Sequence, residues 1–250
     1  MFEISFRSFA LEKDLQIAKR VGIKVIELVW LDDPNSRDRR DEILALTEKY
    51  DIGISAITSI TENTLSAFQS DLDFAAITGA KVLAPHPDAI AWNDRRAVEA
   101  FKALWQPACE YAAKKGISLC VHSCGLDPIS WDIMLMAVPG LGLKYDPSFS
   151  AQAGRSYADE ISKYGGYIKH VHIKDEVPLG RTTNFESGIL PYRYVPAGMG
   201  GNIHWGTVIA LLYEAGYTGD FAIETHSAYW VDNLERNLVL SKRHLEQFIA

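Results

Sequence analysis

The chain has 250 residues, 48% hydrophobic and 23% charged, which is ample for one large core. A net charge of −7 and an isoelectric point near 5.5 argue against a nucleic-acid backbone as partner, which calls for a basic footprint. No apolar run approaches the roughly 20 residues of a membrane helix, and residues 1–7 lack the leader and cleavage site of a signal peptide. Three sparse cysteines (Cys109, Cys120, Cys124) make no disulfide framework and suit a reducing cytoplasm, the expected location.

Short β-rich runs alternate with amphipathic helical stretches eight times. The strand-like runs are 2–6, 24–29, 52–58, 81–86, 117–122, 141–146, 167–174 and 221–225. The helical period covers 11–20, 41–50, 66–78, 96–115, 157–164, 205–215 and 234–248, and 129–137 fills the remaining slot. Gly22, Gly79, Gly116 and Gly216 each close a helix just before the next strand, the αβ loop of a parallel α/β protein. Eight units without a break in composition predict an α/β chain folded as a single (β/α)8 TIM barrel, one domain over 1–250.

Four of these runs carry a polar residue at or near their end: His122, Asp146, His172 and Glu224. Side chains alternate faces along a strand. In Lys169-His170-Val171-His172-Ile173-Lys174 the polar set is His170, His172 and Lys174, and in Phe221-Ala222-Ile223-Glu224 it is Ala222 and Glu224. Each run thus offers an apolar face to helices and a small or polar face to the barrel interior. Two imidazoles and two carboxylates converging on one mouth make a divalent metal site.

Further candidates share that parity or that mouth. Lys144 lies two residues before Asp146 and is either a proton carrier or half of a core ion pair with Glu27. Glu27 itself shares the inward parity. His86, Lys174 and Trp30 are candidate substrate ligands at strand ends, with Trp92 and Trp230 as further aromatic faces. His170, one layer down, is read as a barrel-filling hydrogen-bonding residue. The stretch from 175 to 204 has no clear period and is expected as a long β7–α7 loop, either covering the substrate, with Arg181, Tyr192, Arg193 and Tyr194 as contacts, or forming a surface excursion or oligomer contact.

Several motifs then carry a family resemblance over nearly the whole chain. Gly142-Leu143-Lys144-Tyr145-Asp146-Pro147-Ser148 is similar to a strand-six "vDpsH" run, and His170-Val171-His172-Ile173-Lys174-Asp175 to a strand-seven "HvHlKD". Val195 to Trp205 resembles "vplGeGdidw", and Ala215-Gly216-Tyr217-Thr218-Gly219 followed by Ile223-Glu224 resembles "GYdGpl.iE". The family resembled is that of the xylose-isomerase-like barrels, which includes sugar isomerases, ketose epimerases and inosose dehydratases. The resemblance implies His122, Asp146, His172 and Glu224 as ligands, His122 standing where many relatives have Glu. It also implies that Glu27 contacts substrate or a neighbouring strand, and that dimers or tetramers are common. Phe149 and Met199 replace a family His and Glu.

Ketose epimerases of this type use two carboxylates to move a proton on either side of the substrate carbon. One of them is missing here. Glu224 remains as base or acid, with Lys144 or His122 as the partner; a metal-bound imidazole cannot also be a base, so His122 is ligand or proton carrier. The expected function is a divalent-metal-dependent isomerase or epimerase acting on a small sugar or polyol, with a lyase or dehydratase on a keto-sugar or keto-inositol as alternative. A non-catalytic sugar-binding barrel is the third reading. Manganese is the first-choice ion, with zinc, iron, cobalt or magnesium open.

Overall fold

The structure, a computed structural model, describes residues 3–31, 39–60, 63–91, 93–179 and 191–249; the side chains of Trp30, Leu31 and Ile60 lie outside the description. Eight parallel strands close into a barrel: β1 (Ile4–Ser8), β2 (Val25–Leu31), β3 (Gly53–Ile60), β4 (Val82–Leu83), β5 (Ser118–His122), β6 (Gly142–Tyr145), β7 (Ile168–Ile173) and β10 (Phe221–Ile223), with β1 bonded to both β2 and β10. This is the (β/α)8 barrel that the alternating pattern predicts. Between the strands run α1 (Glu12–Val21), α2 (Arg40–Tyr50), α3 (Leu65–Thr78), α4 (Arg95–Lys114), α5 (Pro128–Ala137), α6 (Pro147–Gln152), α7 (Tyr157–Tyr164), α8 (Trp205–Glu214), α9 (Ala228–Asp232) and α10 (Leu234–Leu245). No helix among the described residues is long and apolar enough to cross a membrane.

Local chemistry accounts for the boundaries. Gly22 and Gly79 close α1 and α3 at φ of 74° and 79°, a region that costs glycine little. Thr64, Asp94, Asp127 and Ser156 cap α3, α4, α5 and α7 by accepting a backbone N–H. The strand expected over 81–86 shortens to Val82–Leu83, since Pro85 and Pro87 cannot donate to the ladder. The sequence pattern does not announce the short helix α6; it starts at Pro147, with Asp146 as its cap.

The core divides as the alternation requires. Leu28, Val121, Leu143, Val171 and Ile173 are buried against the helices. The barrel interior, by contrast, holds Ser5, Glu27, Thr58, Lys144, His170 and His172, each no more than 1% exposed. Strand register places His122 beside Lys144, Lys144 beside His170, and Arg7 beside Glu27.

The connection expected as an irregular loop over 175–204 is partly ordered. β8 (Asp175–Pro178) pairs antiparallel with β9 (Tyr192–Val195), a ribbon too short to leave a period in the sequence. Asp175 accepts the N–H groups of Gly198 and Gly200 at 2.9 and 3.3 Å and ties the glycine-rich turn to the ribbon. Gly200 has no alternative there, because a Cβ would collide with the Glu176 carbonyl. Arg181, expected as a substrate contact from this loop, lies outside the described residues.

Lys144 donates to Glu27 and to the Thr58 hydroxyl, and both charges are fully buried. Breaking such a pair from one side leaves an uncompensated charge, so Lys144→Met is expected to destabilise the fold by about 3–5 kcal/mol, measured as a shift in the urea unfolding midpoint.

Candidate metal-binding active site

Asp146 ends β6 and begins α6, and that junction divides its carboxylate between two tasks. Oδ1 accepts both the backbone N–H (3.0 Å) and the hydroxyl (2.6 Å) of Ser148. Oδ2 is left facing the barrel mouth, where it meets the Lys174 ammonium at 2.5 Å. The carboxyl is 1% exposed, and although burial works against its charge, Lys174 and His172 hold it down to about 2.

His172, from β7, is oriented from below. Its Nε2 lies 2.6 Å from Glu27 Oε2, so Nδ1 is turned to the mouth, 3.1 Å from Glu224 Oε2 and 3.8 Å from Asp146 Oδ2. Burial opposes its protonation, but the Glu224 and Glu27 carboxylates raise it to about 9. Glu224 comes directly after β10. Arg7 donates to its Oε1 at 2.6 Å; Lys174 donates to Oε2, and His226 Nε2 is 3.1 Å from the same oxygen. Despite the cost of burial, His172 and Lys174 keep the Glu224 carboxyl well below its ordinary range.

The remaining candidates divide by layer. Glu27 and Lys144 sit beneath the mouth with no exposed surface, Glu27 within reach of His170 (3.0 Å) and His172 (2.6 Å). His170 also reaches Asp220 at 3.1 Å, the barrel-filling role expected for it. The His122 ring stacks on His86 with centroids 4.3 Å apart and meets His172 edge-on at 5.3 Å. His122 Nδ1 accepts the backbone N–H of Cys124 at 2.9 Å. Burial pulls both His122 and His86 downward, His86 to about 4, so both rings are neutral at pH 7. The side chains of Trp30 and Trp92 lie outside the described residues, and Trp230 packs edge-on against Tyr229.

A profile of the xylose isomerase-like TIM barrel family matches residues 15–247. The chain belongs to that family. Among solved structures, it is similar to a xylose isomerase domain protein from Planctomyces limnophilus, with a TM-score of 0.80 and 15% identity over 99% of this chain and 98% of that one. A D-allulose 3-epimerase from Methylomonas sp. gives a TM-score of 0.75 at 15% identity, covering 99% and 98%. A protein called IOLI, solved with bound zinc, gives 0.75 at 15% identity, covering 99% of both chains. Identities this low speak for a shared fold. No curated protein matches the sequence significantly.

A divalent ion would find a fitting set of donors in this barrel. Asp146, His172 and Glu224 each offer one ligand atom, and these atoms lie within 4.8 Å of one another. His172 Nδ1 is buried without a well-formed hydrogen bond, and a carboxylate on its other nitrogen is the usual support of a metal-binding histidine. His122 falls in a different group, with His86 and Cys124.

Sequence reasoning passes over Arg7 and Ser148. Arg7 shares alternate parity with Ser5 on β1, so the same two-residue period could have found it. Ser148 lies inside the strand-six motif, but the motif does not say that it bonds Asp146.

The His172 value lies above the ordinary 6.5, so its contribution to stability is complete below about 6.5 and lost as pH rises through about 9. In chelator the chain is expected to lose on the order of 3 kcal/mol across that interval. Urea melts at pH 6 and pH 9 measure it, and His172→Gln should show a much flatter dependence.

Proposed function

We propose that this barrel is a divalent-metal-dependent isomerase or epimerase that moves a proton beside the carbonyl of a small sugar or polyol. The observation carrying this reading is the convergence of Asp146, His172 and Glu224 at the carboxyl ends of three neighbouring strands, the face where (β/α)8 enzymes work. Those three residues would hold the ion. When bound, it would polarise the substrate carbonyl and make the adjacent carbon more acidic.

Glu224 is the base. It is ionised at neutral pH, and Arg7 and His226 fix its position from outside the donor triangle. His122 is the proton donor. A neutral imidazole that accepts an N–H at Nδ1 carries its own hydrogen at Nε2. A ring in that tautomer has no lone pair at Nε2 for a metal, so His122 acts as acid and not as ligand. Lys144 supports the site through Glu27 and takes no proton from substrate, since it is sealed beneath His172.

A lyase is the second reading, and the His122 tautomer favours it. One carboxylate base and one imidazole acid on different strands are what an elimination requires.

Proton NMR of candidate keto-sugars in deuterated water, with added Mn(II), separates the two. Deuterium entering at the carbon beside the carbonyl supports isomerisation or epimerisation; a vinylic product or released leaving group supports the lyase. Binding with neither signal leaves only a sugar-binding barrel. Glu224→Gln and His122→Gln should each lower kcat by about 10²–10⁴. His122→Gln should leave metal affinity unchanged, and loss of the ion in that variant would make His122 a ligand.

A further inference from the structure

The buried carboxylates at the barrel mouth already have cationic partners before any ion enters. Three buried carboxylates, Glu27, Asp146 and Glu224, face three permanent cations. Lys144 sits on Glu27, Arg7 on Glu224, and Lys174 on both Asp146 and Glu224. Buried carboxylates that converge on one point need a cation between them, because burying like charges together is costly.

Lys174 is the pivotal member. Its side chain is 1% exposed, and its Nζ contacts Asp146 Oδ2 at 2.5 Å and also Glu224 Oε2. These are the same two oxygens that His172 Nδ1 approaches. A divalent ion binds carboxylate oxygen at about 2 Å. Ion and ammonium would therefore share one pair of oxygen atoms, and the two positive centres would be nearly in contact. The ammonium is also held from the open side, with the Phe149 ring centre at 4.7 Å and the Tyr194 ring centre at 5.1 Å. Phe149 comes from α6 and Tyr194 from the β8–β9 ribbon, so the segments leaving β6 and β7 supply the aromatic walls.

We infer that Lys174 is the resident cation of this site: its ammonium clamps Asp146 and Glu224 together, and a divalent ion binds only by displacing it. The inference rests on Asp146, His172 and Glu224 being the ion's donors, as the functional reading has it. Displacement lowers the ion's apparent affinity by the fraction of molecules in which the lysine has swung out. The site is thus a cation exchanger, with the lysine present whenever the metal is not.

Calorimetric titration with Mn(II) alone, on wild type, Lys174→Met and Lys174→Arg, tests this. Lys174→Met should bind one ion about tenfold tighter than wild type or better, and Lys174→Arg should bind no tighter than wild type. Equal or weaker binding by the methionine variant overturns the inference. If that variant is too unstable without an ion for calorimetry, the rise of its thermal midpoint from chelator to Mn(II) replaces the affinity. A larger rise than in wild type supports displacement, and an equal or smaller rise refutes it. The double variant Lys174→Met with Asp146→Asn separates the two claims. Binding as tight as in the single variant would show that the donor assignment is at fault, whereas its loss leaves the lysine result to be judged alone.

Discussion

The buried carboxylate of Glu27 organises the interior of this barrel. It has no exposed surface, and it touches Lys144, Thr58, His170 and His172 from three other strands. Burial alone would drive it to the neutral form; the His172, Lys144 and His170 charges keep it ionised instead. In return it compensates Lys144 and fixes the ring of His172. One nitrogen of that ring is committed downward to Glu27, so the other faces the mouth with Asp146 and Glu224. A neutral residue at position 27 would leave Lys144 as a buried charge and His172 free to rotate.

The polar interior continues below Glu27. Asp220 accepts from Ser5 and Ser55 and reaches His170, which joins it to Glu27. Barrels of this class usually fill their centre with layers of branched apolar side chains. This one uses a connected hydrogen-bonded column, tolerable because nearly every member has its partners. The column reaches from Asp220 up to His172, beside Asp146 and Glu224 at the mouth.

At the mouth, each catalytic candidate is positioned by a separate local device. Asp146 is a helix cap whose second oxygen is left over. His122 is set by the backbone of its own turn, with its amide donating to the Pro85 carbonyl and its ring accepting from Cys124. Glu224 is gripped by Arg7 across the closing seam of the barrel. Lys174 lies among them under two aromatic rings.

Much of this was legible in the chain. The eight-fold alternation of strand and helix, and the two-residue period of polar side chains, are local properties repeated at each unit. They determined the barrel and the inward direction of Glu27, Lys144, His170, His172, Asp146 and Glu224. The ribbon at 175–178 and 192–195 was hidden because four residues are too few for a period. The partners of each charge were hidden for a different reason. Arg7 and Glu224 are 217 residues apart, and Lys144 and Glu27 are 117 apart. Only closure of the barrel brings them together, and the register between strands decides which cation reaches which carboxylate. Sequence alternation therefore established which side chains enter the interior, while tertiary packing alone assigned Lys174 to Asp146 and Glu224, and His122 to a separate pair with His86.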